Sequence, residues 1–148
     1  TIKQFEPHAK YFAKRGIVCF LVDYSVKQRQ QTSPFESLKD AKSAIRYIRR
    51  HADEFNIDTL KIIGAGGSAG GHLAAATALV KDYNENTDDL SVSCVPNALV
   101  LFNPVIDNGP GVAMVLIELV KLTKAIHLFT ILKKGHHQQL YFWVQMMI

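Results

Sequence analysis

Three largely apolar runs stand out along the chain. They are IVCFLVDY at 17–24, TLKIIGA at 59–65 and NALVLFNPV at 97–105. A strand with one face in water alternates apolar and polar residues. These runs are too apolar for that pattern, so they predict strands of a parallel sheet that is buried on both faces.

The segments between the runs have the spacing of helices. One helix is predicted over 6–15 and ended by Gly16, a second from Pro34 to about residue 52, and a third over 69–83. The second helix has Ser33 as its N-cap and carries apolar residues at helical spacing, namely Leu38, Ala41, Ala44, Ile45 and Ile48. Polar residues 25–33 predict a loop before it. This alternation predicts an α/β fold, a parallel sheet flanked by helices, with its site at the carboxyl ends of the strands.

Length and composition fit one compact domain, since 148 residues with 48% hydrophobic content can form a sizeable core. The net charge is +4, but residues from Val112 onward hold four lysines and one glutamate, which leaves +1 for residues 1–111. A charge concentrated in the tail gives little support for a nucleic-acid partner, and none is predicted.

Cys19 and Cys94 match neither a disulfide framework nor a metal site, and Cys19 is predicted to be a buried thiol.

A glycine-rich turn follows the second predicted strand. Its residues Gly66, Gly67, Ser68, Ala69 and Gly70 fit the pattern G-x-S-x-G between a strand and a helix. Small flanking residues let strand and helix approach closely, and the sharp turn holds its central residue in strained backbone geometry. The strain lifts the serine hydroxyl clear of the sheet, where the helix N-terminus directs free amides toward it. The pattern therefore favours Ser68 as a nucleophile and the Ala69 amide as an oxyanion donor.

Two other interpretations of this turn stay open. Residues 64–69 also match G-x-G-x-x-A, a dinucleotide-binding pattern, which requires an acidic residue about twenty positions later. Asp88 and Asp89 have roughly that spacing, but they lie in a polar loop rather than at a strand end. The turn could also be purely structural, so a non-catalytic or nucleotide-binding βα module is the alternative to an enzyme.

Several blocks in fixed order resemble a known family. The chain reads DAKSAIRYIRRHADEFNID, then GGSAGGHLAA, then LFNPVID, which looks like the esterase/lipase branch of the α/β-hydrolase fold. That branch includes acetyl-esterase-like and hormone-sensitive-lipase-like enzymes. The resemblance covers residues 5–111 and implies a Ser-His-Asp hydrolase of small-molecule carboxylic esters. In it Ser68 is the nucleophile and the Ala69 amide lies in the oxyanion hole, with no cofactor and no metal.

The resemblance also implies parts that this sequence does not supply. The family's H-G-G loop, which gives the second oxyanion donor, would precede Thr1, and the triad acid and histidine should follow the serine. Asp107 follows the strand before the one that normally carries the acid, so it is not favoured. His72 is expected to pack or cap on the third helix, and His8 and His51 to lie on the surface. The remaining histidines lie in the tail, at His127, His136 and His137. We therefore expect a partial hydrolase fold, incomplete at both ends and inactive as it stands.

The tail departs from the family pattern after residue 111. Shifting each codon one base earlier must turn the junction Phe142–Trp143 into Leu, Trp143–Val144 into Gly, and the last two junctions into Asp. Other junctions allow the missing family segments in their proper order. This predicts a partial hydrolase domain over 1–111 and a frameshifted tail over 112–148. The alternative is a true apolar helix in the tail, which charged residues such as Glu118 make unsuitable as a membrane span.

Overall fold

A computed structural model of the chain describes residues 2–105. These residues form five helices and two strands, in the order α1 (Ile2–Ala13), α2 (Lys27–Gln30), α3 (Pro34–Arg50), α4 (Ala52–Phe55), β1 (Ile63–Gly67), α5 (Ala69–Leu79) and β2 (Ala98–Phe102). The predicted apolar helix in the tail and the predicted boundary after residue 111 lie outside the described residues.

The two strands are parallel neighbours, as the sequence predicts. Ile63 of β1 is opposite Ala98 of β2, and Gly67 is opposite Phe102 at the carboxyl end of the pair. A parallel pair needs a crossover connection, and α5 supplies it. The α/β class with a parallel sheet flanked by helices is therefore confirmed, but burial of the strands on both faces is not, because Val100 of β2 is 39% exposed.

The helix α3 forms because its apolar residues recur at helical spacing behind a proline start. Pro34 occupies the first turn, where its missing N–H is not needed. Leu38, Ala41, Ile45 and Ile48 are buried together on one face, while Ala44 is half-buried. The N-cap position of Ser33 is confirmed, but its hydroxyl bonds to the carboxylate of Glu36 rather than to a backbone amide.

The helix α5 is buried between the sheet and α3, which explains its unusual composition. Leu73 and the three consecutive alanines 74–76 are nearly inaccessible to solvent, and they pack with Leu99 and Leu101 of β2. A helix that is apolar on all sides is stable only when it is enclosed in this way. The helix ends at Leu79, four residues before the predicted end.

Two buried basic side chains of α3 hold the loop between α5 and β2. The ammonium group of Lys42 donates to the backbone carbonyls of Lys81 and Asp82. Arg46 donates to the carbonyl of Val92 at 3.0 Å and pairs with the carboxylate of Asp88 at 2.6 Å. These contacts fix the long connection that leads into β2.

The predicted first strand at 17–24 is wrong. No strand pairing involves these residues in the described part of the chain, and Ile17 and Val18 are each 39% exposed. Phe20 packs against the cluster of Ile45, Ile48 and Ile62, so the apolar character of this run serves packing against α3. Cys19, predicted to be a buried thiol, is only half-buried, whereas Cys94 is buried.

The remaining differences concern the ends of elements. The strand predicted at 59–65 begins later, at Ile63, because residues 59–61 form a turn in which Leu60 is 76% exposed. The strand predicted at 97–105 is limited to Ala98–Phe102. The helix predicted over 6–15 runs from Ile2 to Ala13. The loop predicted at 25–33 contains the single helical turn α2.

Candidate active site

Ser68 is the single residue between the end of β1 and the start of α5. Its backbone angles are φ 53° and ψ −119°, a combination that residues other than glycine adopt only at a cost of about 1–3 kcal/mol. Its side chain is exposed to solvent. The strained geometry and the accessible hydroxyl expected from the sequence are therefore both present. Residues 66–70 are called the serine turn below.

The serine turn brings β1 and α5 so close together that two positions have no room for a side chain. A Cβ atom on Gly66 would lie 2.8 Å from the amide nitrogen of Gly71 and closer still to the carbonyl of Gly70. A Cβ atom on Gly71 would lie 2.9 Å from the carbonyl oxygen of Gly66. The G-x-S-x-G pattern does not include Gly71, although a second consecutive glycine at the start of an alanine-rich helix is a signal for it.

The other two predicted glycines are less constrained. A Cβ atom on Gly67 would lie 3.1 Å from the ring of Phe5, which packs over the turn. A Cβ atom on Gly70 would meet only the hydroxyl of Tyr24, at 3.8 Å, which is an ordinary contact distance. Of the three glycines predicted to be required, only Gly66 is enclosed by backbone.

Three backbone hydrogen bonds anchor Ser68. Its amide donates to the carbonyl of Phe102 at 3.0 Å. Its carbonyl accepts from the amide of His72 at 3.1 Å and from the amide of Val105 at 3.2 Å. Residues 102–105, which we call the supporting turn, thus contact both polar groups of the serine backbone. The supporting turn was missed by sequence analysis because its role depends on strand pairing.

The side chain of His72 also contacts the supporting turn. Its Nδ1 atom lies 2.6 Å from the carbonyl oxygen of Val105. A carbonyl oxygen only accepts hydrogen bonds, so Nδ1 carries the proton in this contact. The structural role predicted for His72 agrees with this bond.

The surroundings of the Ser68 hydroxyl favour a developing negative charge. The first amides of α5 have no acceptor within the helix, and the positive end of the helix dipole lies at this terminus. Ala69, the first residue of α5, is exposed beside Ser68. Burial, helped by the neighbouring charge of Asp23, raises the pKa of Tyr24, so the phenol near Gly70 is neutral at physiological pH.

No histidine among residues 2–105 hydrogen-bonds to the Ser68 hydroxyl. His8 lies with its ring centroid 6.5 Å from that of Phe102, and His51 stacks on Tyr47 at 4.0 Å. Both residues are half-buried, so they reach the surface as expected, although these ring contacts cover part of each side chain. The candidates of the later sequence, namely Asp107, His127, His136 and His137, lie outside the described residues.

The acidic residues that the dinucleotide alternative requires are occupied by other contacts. Asp88 is paired with Arg46, and their side chains are only 10% and 8% exposed. Hydrogen bonds from the hydroxyl and amide of Ser91 lower the pKa of Asp89. The Asp88 carboxylate is therefore committed to Arg46, and Asp89 is exposed in a loop rather than placed at a strand end, so neither position favours the dinucleotide alternative.

A surface cavity of about 810 Å³ lies away from the serine turn. It is bounded by residues 19–23, by Ser25, by α3 and by residues 87–89. None of the serine-turn residues lines it.

Within residues 2–105, no three His, Cys, Asp or Glu side chains gather closely enough to hold a metal ion. No helix in the same range has both the length and the apolar character needed to cross a bilayer.

The chain is similar to known proteins in both sequence and fold. The sequence model of the BD-FAE family matches residues 2–126. Endo-1,4-beta-xylanase B of Butyrivibrio fibrisolvens is 33% identical over 106 residues, which are 68% of this chain and 16% of that protein. Esterase LipC of Mycobacterium tuberculosis is 39% identical over 67 residues, which are 45% of this chain and 16% of that protein.

A solved esterase structure is also similar to this chain in sequence and fold. Thermogutta terrifontis esterase 2, phosphoramylated by tabun, is 42% identical with a TM-score of 0.72 over 76% of this chain and 43% of its own. The chain thus spans less than half of this solved esterase and about a sixth of the two curated relatives. The family match covers most of the chain, and the parallel strands around the serine turn agree with it. The chain belongs to the BD-FAE family, within the esterase/lipase branch of the α/β-hydrolases.

Proposed function

We propose that Ser68 is the nucleophile of a carboxylic ester hydrolase. The observation that carries the proposal is the strained backbone of Ser68 at a strand-to-helix turn, with the hydroxyl exposed and the backbone anchored by three hydrogen bonds. Strain of this kind is retained where it serves function, because the surrounding structure has to compensate for it.

The reaction requires a base that residues 2–105 do not supply. The Oγ atom of Ser68 would bond to the ester carbonyl carbon while its proton passes to the base, and the carbonyl π electrons would move onto oxygen. The amide of Ala69 would donate to that oxyanion. Collapse of the intermediate would expel the alcohol, which takes up the proton, and water would then release the acid from the acyl-enzyme.

We also propose that the chain as sequenced hydrolyses esters poorly. Without a hydrogen-bonded base, a serine hydroxyl is a weak nucleophile, and loss of triad members lowers the rate by orders of magnitude. The out-of-frame agreement of residues 112–148 with the family pattern supports a frameshift as the cause. Sequencing the coding DNA through codons 105–148 and beyond tests this: a one-base correction near codon 112 should open a frame with the triad acid and a later histidine. An unambiguous reading of the present frame would contradict the frameshift.

Covalent labelling tests the role of Ser68. The chain is incubated with a fluorophosphonate, and the modified peptide is identified by mass spectrometry in the parent, in Ser68→Ala and in Ser91→Ala. Ser91 is an exposed serine that bonds to Asp89 in a loop, so its variant is the matched control. We expect slow labelling on Ser68, none there in Ser68→Ala, and no change in Ser91→Ala. Equal labelling of the parent and Ser68→Ala that persists when imidazole is added would refute the proposal.

Added imidazole distinguishes a missing base from an unreactive serine. We expect labelling of Ser68, and hydrolysis of a short acyl ester such as p-nitrophenyl acetate, to rise with imidazole concentration in the parent. The increase should exceed that of Ser68→Ala, in which imidazole acts on the ester directly. Identical imidazole dependence in the two proteins would mean that the hydroxyl is not a nucleophile.

A further inference from the structure

The supporting turn is held against α5 by contacts on each side of one residue. The amide of Val105 donates to the Ser68 carbonyl at 3.2 Å, and the carbonyl of Val105 accepts from Nδ1 of His72 at 2.6 Å. Val105 thus connects the imidazole of His72 with the backbone of Ser68, although the imidazole makes no hydrogen bond to the Ser68 hydroxyl.

Steric contacts define where this turn lies. A Cβ atom on Gly71 would lie 3.0 Å from the Cβ atom of Pro104, so the turn rests directly on the first turn of α5. Within the turn, Asn103 has φ 47°, a left-handed conformation that asparagine tolerates better than most residues. Residues 103–105 belong to no strand in the described part of the chain, and their hydrogen bonds to His72 and Ser68 help to hold them against α5.

We propose that His72 is a positioning residue for Ser68. By holding the Val105 carbonyl, the imidazole keeps the Val105 amide on the Ser68 carbonyl and so resists relaxation of the strained serine. This inference rests on the proposed function of Ser68, but the geometry it describes can be measured without catalysis. In this role His72 donates from Nδ1 to a backbone carbonyl and does not receive the serine proton.

Two substitutions separate the hydrogen bond from the volume of the ring. In His72→Asn, the side-chain amide nitrogen is as many bonds from Cα as Nδ1 of histidine, so it can still donate to Val105. In His72→Leu the packing volume is largely kept and the donor is lost. The matched control is His51→Leu, because Nδ1 of His51 contacts the carbonyl of Tyr47 at 2.7 Å, away from the serine turn.

Hydrogen exchange at the Ser68 and Val105 amides of the full chain, followed by NMR, decides the question. Loss of one hydrogen bond changes an opening equilibrium constant by roughly 3- to 10-fold. We therefore expect His72→Leu to speed exchange at both amides by about that factor. His72→Asn should stay within about twofold of the parent, and His51→Leu should leave both amides unchanged. Unchanged exchange in His72→Leu would overturn the proposal, as would equal acceleration in His72→Asn and His72→Leu.

Fluorophosphonate labelling links the measurement to function. If Ser68 is the nucleophile, His72→Leu should slow its labelling by a similar factor, and His72→Asn should restore it. If the parent does not label at Ser68 even with added imidazole, the proposed function fails. The exchange rates would still test whether His72 holds the turn.

Discussion

Gly66 faces the backbone of α5 with no space for a methyl group. In Gly66→Ala the new Cβ atom would lie 2.8 Å from the amide nitrogen of Gly71 and closer to the Gly70 carbonyl. Because both neighbours are backbone atoms, no rotamer change relieves the clash, and β1 and α5 have to separate. Overpacking of a core costs about 1–3 kcal/mol, and we expect the upper end of that range here.

The matched control is Gly70→Ala, in which the added methyl group meets only the Tyr24 hydroxyl at 3.8 Å. Gly70 lies in α5, where alanine is favoured over glycine by up to about 1 kcal/mol. With a urea m-value of about 2 kcal/mol/M, Gly66→Ala should lower the unfolding midpoint by roughly 1.5 M. The Gly70→Ala midpoint should stay level or rise by up to about 0.5 M. An unchanged midpoint for Gly66→Ala would refute the steric argument, as would equal losses in the two variants.

Three further changes test the fold and the site by urea unfolding. Ser68→Gly should be more stable than Ser68→Ala by about 1 kcal/mol, because glycine adopts φ 53° without strain; the opposite order would count against strain at this residue. Asp88→Ala should lose about 3 kcal/mol, because it leaves the buried Arg46 guanidinium without a carboxylate partner, whereas the exposed pair broken by Asp58→Ala should matter little. The pKa of Tyr24 is raised from 10.0 by burial, so its contribution to stability is complete below pH 10 and is lost as pH rises through the folded-state pKa. The unfolding midpoint should therefore fall less steeply above pH 10 in Tyr24→Phe than in the parent, and parallel curves would contradict this.

The sequence was informative where local pattern and tertiary environment agree. The helix α3 was predicted from its proline start and apolar spacing, and β2 from a short apolar run after a polar loop. The run at 17–24 has the same composition as a buried strand, yet it packs against α3 without a strand partner in the described residues. Hydrophobicity indicates that a segment is buried, but it does not indicate whether a neighbouring strand or a neighbouring helix buries it.

The same limit applies to the site. The strained turn at Ser68 and the enclosed position of Gly66 could be predicted because both follow from neighbours in the sequence, and the catalytic roles of Ser68 and Ala69 stay predictions. Asp88 was weighed as a ribose ligand on spacing alone, and its pairing with Arg46 of α3 could not be read from the sequence. The contact between His72 and Val105 was beyond prediction for the same reason, since it joins α5 to residues that follow the next strand.

The conformation of Ser68 is a property of the sheet rather than of the pentapeptide that contains it. Strain of about 1–3 kcal/mol has to be offset, and a backbone hydrogen bond contributes about 0.5–1.5 kcal/mol. Two of the three bonds that anchor Ser68 come from Phe102 and Val105. Those residues reach the serine because parallel pairing places Phe102 opposite Gly67. A shift of this register by one residue would move the Phe102 carbonyl away from the Ser68 amide and turn every β2 side chain to the other face. The pairing that buries Leu99 and Leu101 in the core is thus also the pairing that keeps the serine strained and its hydroxyl exposed.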